Sequence, residues 1–214
     1  MMAIPTTKEV DTITSRFLEH CHHKTYAAKQ LIIKEGDPSH DLYFITSGSV
    51  TVMIEDVKGN EIVLAYLNAG EFFGEMGLFG KEDHSRTAFV RAKEKSEIAK
   101  ISYEKLQSLN SLFPDLLFSI ASQMAIRLRR TSRKVSDLAF TDVKGRVART
   151  LLDLCKEPDA MTHPDGMQIR ITRQELGRIV GCSREMVGRV LKSLEEDDHH
   201  ISVSGKTMVI FGTR

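Results

Sequence analysis

Two segments of helical periodicity meet at a single glycine, Gly181, within TRQELGRIVGCSREMVGRVLKSL (172–194), and this junction restricts the fold most tightly. Thr172 followed three residues later by Glu175 forms a capping box that opens the first helix. Leu176, Ile179 and Val180 supply an inward face, and Gly181 permits the backbone turn that a β-branched residue resists. Ser183 caps the second helix, where Val187, Val190, Leu191 and Leu194 repeat at helical spacing. The pattern predicts a helix–turn–helix with Arg184, Glu185 and Arg189 facing outward. Arginine offers two donors to guanine O6 and N7, and glutamate accepts from cytosine N4, so this trio suits G·C-rich positions in a major groove. Arg173 and Lys192 carry charge suited to phosphates, and the Ser183 cap lies among them. The same window also fits an ordinary helical hairpin with a solvated polar face.

Charge distribution favours the nucleic-acid reading. The chain has 214 residues and a net charge of +1, but the halves differ. Residues 1–118 hold 13 Lys/Arg against 17 Asp/Glu, and residues from 119 onward hold 17 against 12. The basic residues cluster at Arg127, Arg129, Arg130, Arg133 and Lys134, then at Lys144, Arg146 and Arg149. Such an excess attracts a polyanion.

Between the halves runs a heptad seam: Leu117, Ala121, Met124, Leu128, Thr131, Val135 and Leu138 alternate in steps of four and three. Pro114 fits the first turn of the helix, where its missing N–H costs nothing. The length exceeds what a small domain needs, so the seam predicts a homodimer. A polar residue on the seam, Thr131, requires something to satisfy its hydroxyl. A two-fold axis would also place paired reading helices on a palindromic site.

Residues 25–103 alternate in short apolar runs punctuated by glycines at 36, 48, 59, 70, 74 and 77, which predicts an antiparallel β-roll or barrel with a hairpin turn at 56–60. EFFGEMGLF (71–79) breaks the alternation. Gly74 lets a ligand approach the backbone, Arg86 and Thr87 offer a guanidinium beside a hydroxyl to a phosphate, and Glu75 can accept from a ribose hydroxyl. A structural turn followed by a surface ion pair is the competing explanation.

FFGEMGLF (72–79), SRTAFVRA (85–92), DLAFTDVKGRVARTLLDL (137–154), PDAMTHPDGMQI (158–169) and TRQELGRIVGCSREMVGRVLKSLEE (172–196) together resemble the bacterial Crp/Fnr family of transcription regulators, over nearly the whole chain. The resemblance implies an α+β chain: a cyclic-nucleotide-binding, jelly-roll-like β-roll (1–112), a dimerisation helix (113–138), a hinge (139–142) and a winged helix–turn–helix DNA-binding domain (143–214). It implies cyclic AMP as allosteric ligand, held by Gly74, Glu75, Arg86 and Thr87, with Thr131 and Ser132 reaching the adenine from two subunits. Most relatives have Ser where Thr87 stands. Arg184, Glu185 and Arg189 match the base-contacting trio for a TGTGA-like inverted repeat. Ala160, Thr162, His163 and Gly166 match a surface that recruits RNA polymerase. His22 and Lys105 match parts of a second polymerase contact, although Lys24 stands where the family has histidine. EEDDHHISVSGK (195–206) is one residue longer than the family pattern, so the start of the wing is expected to pack differently.

Rival readings use the same fold with cyclic GMP, cyclic di-GMP or a redox or gas signal. The three cysteines, Cys21, Cys155 and Cys182, are too scattered for a four-cysteine cluster or a zinc site, and no metal is expected. His20, Cys21, His22 and His23 read as a solvated run. An enzyme, or a nucleotide-gated regulatory subunit of one, is the rival of a different class; no nucleophile elbow, metal-ligand pair or P-loop supports it. No stretch reaches the roughly 20 apolar residues of a membrane span. Met1–Asp11 lacks a secretory signal pattern, and odd, scattered cysteines suit a reducing cytoplasm.

Overall fold

The computed structural model describes residues 15–79, 85–109 and 112–213, so the Met1–Asp11 reading lies outside the described residues. The chain divides into two compact units: Met1–Asp56 with Val63–Arg130, and Val57–Ile62 with Thr131–Arg214.

The first unit is built on two antiparallel four-stranded sheets. One runs β1 (His22–Tyr26), β8 (Ser96–Ser102), β3 (Asp41–Ser47), β6 (Phe72–Phe73); the other runs β2 (Leu31–Ile33), β7 (Phe89–Ala92), β4 (Ser49–Glu55), β5 (Glu61–Asn68). β3 is buried continuously from Leu42 to Ile45 because both of its faces are covered. Leu42 and Phe44 pack with Phe17, Phe72, Ile101 and Leu106, while Tyr43 and Ile45 pack with Val50, Phe73, Val90 and Ile98. Side chains alternate across a strand, so two covered faces give an unbroken apolar run. The histidine run belongs to β1, an edge strand in which His22 pairs with Lys100 and the side chains of His22, His23 and Lys24 are exposed. Two short helices complete the unit's connections, α1 (Met76–Phe79) and α2 (Tyr103–Ser108).

The long helix α3 (Pro114–Phe140) has 27 residues and begins at the proline, a length of about 40 Å. Leu116 and Ile120 are buried in the first unit, and Leu117 and Met124 pack against the same cluster. The early part of the expected seam therefore also serves the unit's own core. Leu128, Val135 and Leu138 are 68%, 61% and 52% exposed. The helix continues to Phe140 rather than stopping at 138, and Asp142 already caps α4 (Val143–Leu154), its Oδ1 accepting the Gly145 N–H at 2.8 Å.

The second unit packs α4, α5 (Arg173–Val180) and α6 (Arg184–Glu196) against a sheet ordered β11 (Ile201–Ser204), β12 (Thr207–Phe211), β10 (Gly166–Arg170), β9 (Met161–His163). Val147, Leu151, Leu176, Val187, Leu191 and Met208 form its dry centre, each at most 1% exposed. The acidic, histidine-bearing link into the wing is absorbed locally. Lys144 Nζ lies 2.7 Å from Asp198 Oδ2 and donates to Ser193 Oγ at 3.1 Å. Glu195 Oε1 accepts the Val203 N–H at 2.7 Å, and His199 takes a left-handed φ of 52°. Ile201 then enters the core at 4% exposure.

Candidate functional site

In the first unit the residues singled out at 74–87 converge on one turn. Gly74 has φ 77°, and a Cβ there would stand 2.8 Å from Arg86 Nη1 and 3.2 Å from the Asp41 carbonyl oxygen. Only glycine satisfies both the left-handed backbone and this approach. Arg86 is 7% exposed, and its guanidinium is held by carbonyl acceptors: Nη1 donates to Gly74 O at 3.0 Å, and Nη2 to Asp41 O at 2.9 Å. Nη1 also donates to the Tyr103 hydroxyl at 3.3 Å, and the guanidinium carbon lies 5.5 Å from the Tyr43 ring centroid.

Glu75, also 7% exposed, faces a different cation. Arg127 Nη1 lies 3.3 Å from its Oε1, and Arg127 Nη2 donates to Phe72 O and lies 3.6 Å from Glu71 Oε1. One turn earlier on α3, Gln123 accepts the Phe72 N–H at 2.8 Å and donates to Gly70 O at 3.0 Å. Residues 70–75 are therefore pinned to α3 by two long polar side chains. Thr87 is exposed, as are Thr131 and Ser132 on α3. Chemically, the turn offers a buried guanidinium for an anionic oxygen and a buried carboxylate that accepts from hydroxyl groups.

Sequence reasoning missed Asp41, Tyr103 and Gln123 at this site, and read Arg127 only as part of a basic cluster. A signal existed for two of them. Leu116, Ile120, Gln123 and Arg127 follow steps of four, three and four, so the inward stripe of α3 turns from apolar to polar without leaving its face. Polar residues on a buried stripe need partners, and the Gly70–Glu75 segment provides them.

In the second unit both caps form. Thr172 Oγ1 accepts the Glu175 N–H at 3.0 Å, and Ser183 Oγ accepts the Met186 N–H at 3.2 Å. Gly181 between them has φ 75°. Gly177, which the sequence reading passed over, lets α5 meet the turn: a Cβ there would stand 2.7 Å from Cys182 O. Arg184, Glu185 and Arg189 are all exposed on α6. Arg173, Glu185, Gly188, Arg189 and Lys192 line one shallow groove, and Lys192 Nζ lies 3.6 Å from Glu196. The Glu185 carboxyl is held below the usual range, first by its own backbone N–H at the helix start, then by Ser183, and by Arg184 and Arg189. It stays an acceptor at neutral pH.

The remaining singled-out residues lie on two separate surfaces. Ala160 is half-buried before β9, Thr162 and His163 lie on β9, and Gly166 opens β10 directly opposite His163. His22 is on β1 and Lys105 on α2, both exposed. The Cys21 thiol nearby is pushed up to about 12 by burial, opposed by the Lys105 charge. Among the described residues no group of three or more His, Cys, Asp and Glu could hold a metal ion, and no helix is long and apolar enough to cross a membrane.

Residues 23–111 match the cyclic nucleotide-binding domain, and residues 169–198 match the crp family of bacterial regulatory proteins. The chain is 60% identical over 216 residues, covering 100% of both, to the cAMP-activated global transcriptional regulator Vfr of Pseudomonas aeruginosa. It is 55% identical over 206 residues, 96% of this chain and 97% of the relative, to the cAMP-activated global transcriptional regulator CRP of Salmonella typhimurium. The c-di-GMP responsive global regulator CLP of Xanthomonas campestris has the same fold, with a TM-score of 0.88 and 48% identity over 95% of this chain and 100% of that one. With full-length identity of this order and both domains matched in sequence, the chain belongs to the crp family of bacterial regulatory proteins.

Proposed function

We propose that this protein is a homodimeric, cyclic AMP-responsive transcription regulator. The observation that carries the ligand is the Gly74 turn, with the Arg86 guanidinium against its carbonyl and the Glu75 carboxylate one residue on. Arg86 and Thr87 take the cyclic phosphate, Glu75 accepts the ribose 2′-hydroxyl, and Thr131 and Ser132 serve the base. Names of relatives at 55–60% identity support cyclic AMP over other nucleotides. Leu128, Val135 and Leu138, apolar and exposed, support a coiled-coil contact with a second copy.

Arg184, Glu185 and Arg189 read base edges of a palindromic TGTGA-like duplex, with Ser183 at the helix start, while Arg173 and Lys192 meet phosphates. RNA polymerase contacts the surface around Ala160, Thr162, His163 and Gly166, and a second surface that includes His22 and Lys105. Ligand binds the DNA-competent state more tightly, so DNA strengthens ligand binding by the same factor.

Fluorescence anisotropy of a labelled palindromic duplex, titrated with and without cyclic AMP, tests the reading. Cyclic AMP is expected to tighten binding at least tenfold, and equal affinities would refute the switch. Cyclic di-GMP is the second ligand to try, because CLP, 48% identical, is a c-di-GMP responsive regulator. Tightening by cyclic di-GMP and not by cyclic AMP would reassign the pocket.

A further inference from the structure

Tyr103 stands 29 residues from Gly74 in sequence, yet its hydroxyl donates to the Gly74 carbonyl. The same oxygen accepts from Arg86 Nη1 at 3.3 Å and lies 2.8 Å from Ser39 Oγ. A phenol has one proton to give and two lone pairs to fill. With the proton committed to Gly74 and one lone pair to Arg86, Ser39 must be the donor of the third bond. Every position on the Tyr103 oxygen is then occupied, and its direction is fixed. Ser39 is 2% exposed, so water does not compete for that bond.

Resting on the cyclic nucleotide reading above, we infer that Tyr103, locked by Ser39, is a positioning residue for the phosphate: it sets the plane of the Arg86 fork against the Gly74 turn. The guanidinium is tied at three places, to Gly74 O, Asp41 O and Tyr103; the Asp41 carbonyl belongs to β3, and the Gly74 carbonyl belongs to the turn itself. Among the described residues, Tyr103 hydrogen-bonds both the arginine and the Gly74 carbonyl that the arginine shares. Removing its hydroxyl leaves Arg86 present and bonded to the Gly74 and Asp41 carbonyls but without its third tie, so the loss falls on phosphate geometry rather than on charge. Such orientation matters because a guanidinium recognises an oxyanion through paired, directional donors.

Calorimetry on the full chain with cyclic AMP, and with the two phosphorothioate diastereomers of cyclic AMP, tests this. The sulfur replaces one or the other exocyclic oxygen, so the ratio of the two affinities reports how Arg86 is aimed. Tyr103→Phe is expected to weaken cyclic AMP about tenfold and to move the diastereomer ratio toward one. Ser39→Ala, a smaller change at the far end of the chain of bonds, is expected to shift the ratio in the same direction by less. Unchanged cyclic AMP affinity in Tyr103→Phe overturns the inference. So does a uniform loss that leaves the diastereomer ratio at its wild-type value, because that marks general damage. Absence of cyclic AMP binding by the wild-type chain removes the ligand reading itself, and this inference with it.

Discussion

Arg127 meets Glu75 across 52 residues of sequence, Nη1 to Oε1 at 3.3 Å, with the two side chains 18% and 9% exposed. Removing one member of so enclosed a pair strands the other charge, and for fully buried pairs that costs about 3–5 kcal/mol. The residual exposure of Arg127 reduces this, so Arg127→Met is expected to destabilise the first unit by about 2 kcal/mol. Adding Glu75→Gln to that variant should restore part of the loss. Urea midpoints for the two single variants and the double variant measure the coupling, and simple additivity would show that the pair has no net interaction.

The exposed apolar stretch of α3 predicts an assembly defect. Leu128→Glu combined with Val135→Glu places acidic groups opposite their symmetry mates. Sedimentation equilibrium should then report a monomer with an unchanged far-ultraviolet circular dichroism spectrum. A dimer that survives both changes would exclude this face as the seam.

On α6, the roles of arginine and lysine should separate by sequence and by salt. Arg184→Ala is expected to cost about 1–3 kcal/mol at one base position and relax discrimination there. Lys192→Ala should weaken all duplexes alike and reduce the slope of log K against log salt by about 1. Competition anisotropy at several salt concentrations distinguishes the two.

Stability should depend on pH through the link into the wing. Lys144 lowers the Asp198 carboxyl pKa, chiefly by hydrogen bonding, and Asp198 raises that of Lys144 in the same way. A depressed carboxyl pKa contributes stability that is complete above the ordinary aspartate value of 3.8 and lost as pH falls through the folded value. A raised lysine pKa contributes below 10.5 and is lost as pH climbs past the folded value. Denaturation between pH 2 and 5 should therefore be steeper for the wild type than for Asp198→Asn, over the ~1–2 pH units in which a carboxyl titrates. Superimposable profiles would show that the contact is without thermodynamic effect.

What the sequence made legible was local. Thr172, Gly181 and Ser183 act within four residues of their partners, so spacing alone located two caps and a turn. The β-roll strands from Leu31 onward were readable from alternation. By contrast β1 was hidden, because an edge strand with exposed His22, His23 and Lys24 buries only Tyr26. Half of the pocket was hidden for another reason. Gly74 and Arg86 lie close in sequence, but Asp41, Tyr103, Gln123 and Arg127 reach them only through long-range packing. Gly177 was unreadable because its function depends on where the Cys182 carbonyl falls.

The inward stripe of α3 changes character between Ile120 and Gln123. Each residue of an α-helix advances the face by about 100°. Adding or deleting a single residue in that three-residue interval would swing both polar anchors off the Gly70–Glu75 segment while sparing the greasy turns before them. The interval thus acts as a phase lock: substitutions on the outer surface leave the register intact, but here one added or deleted residue would uncouple the Gly70–Glu75 segment from the helix.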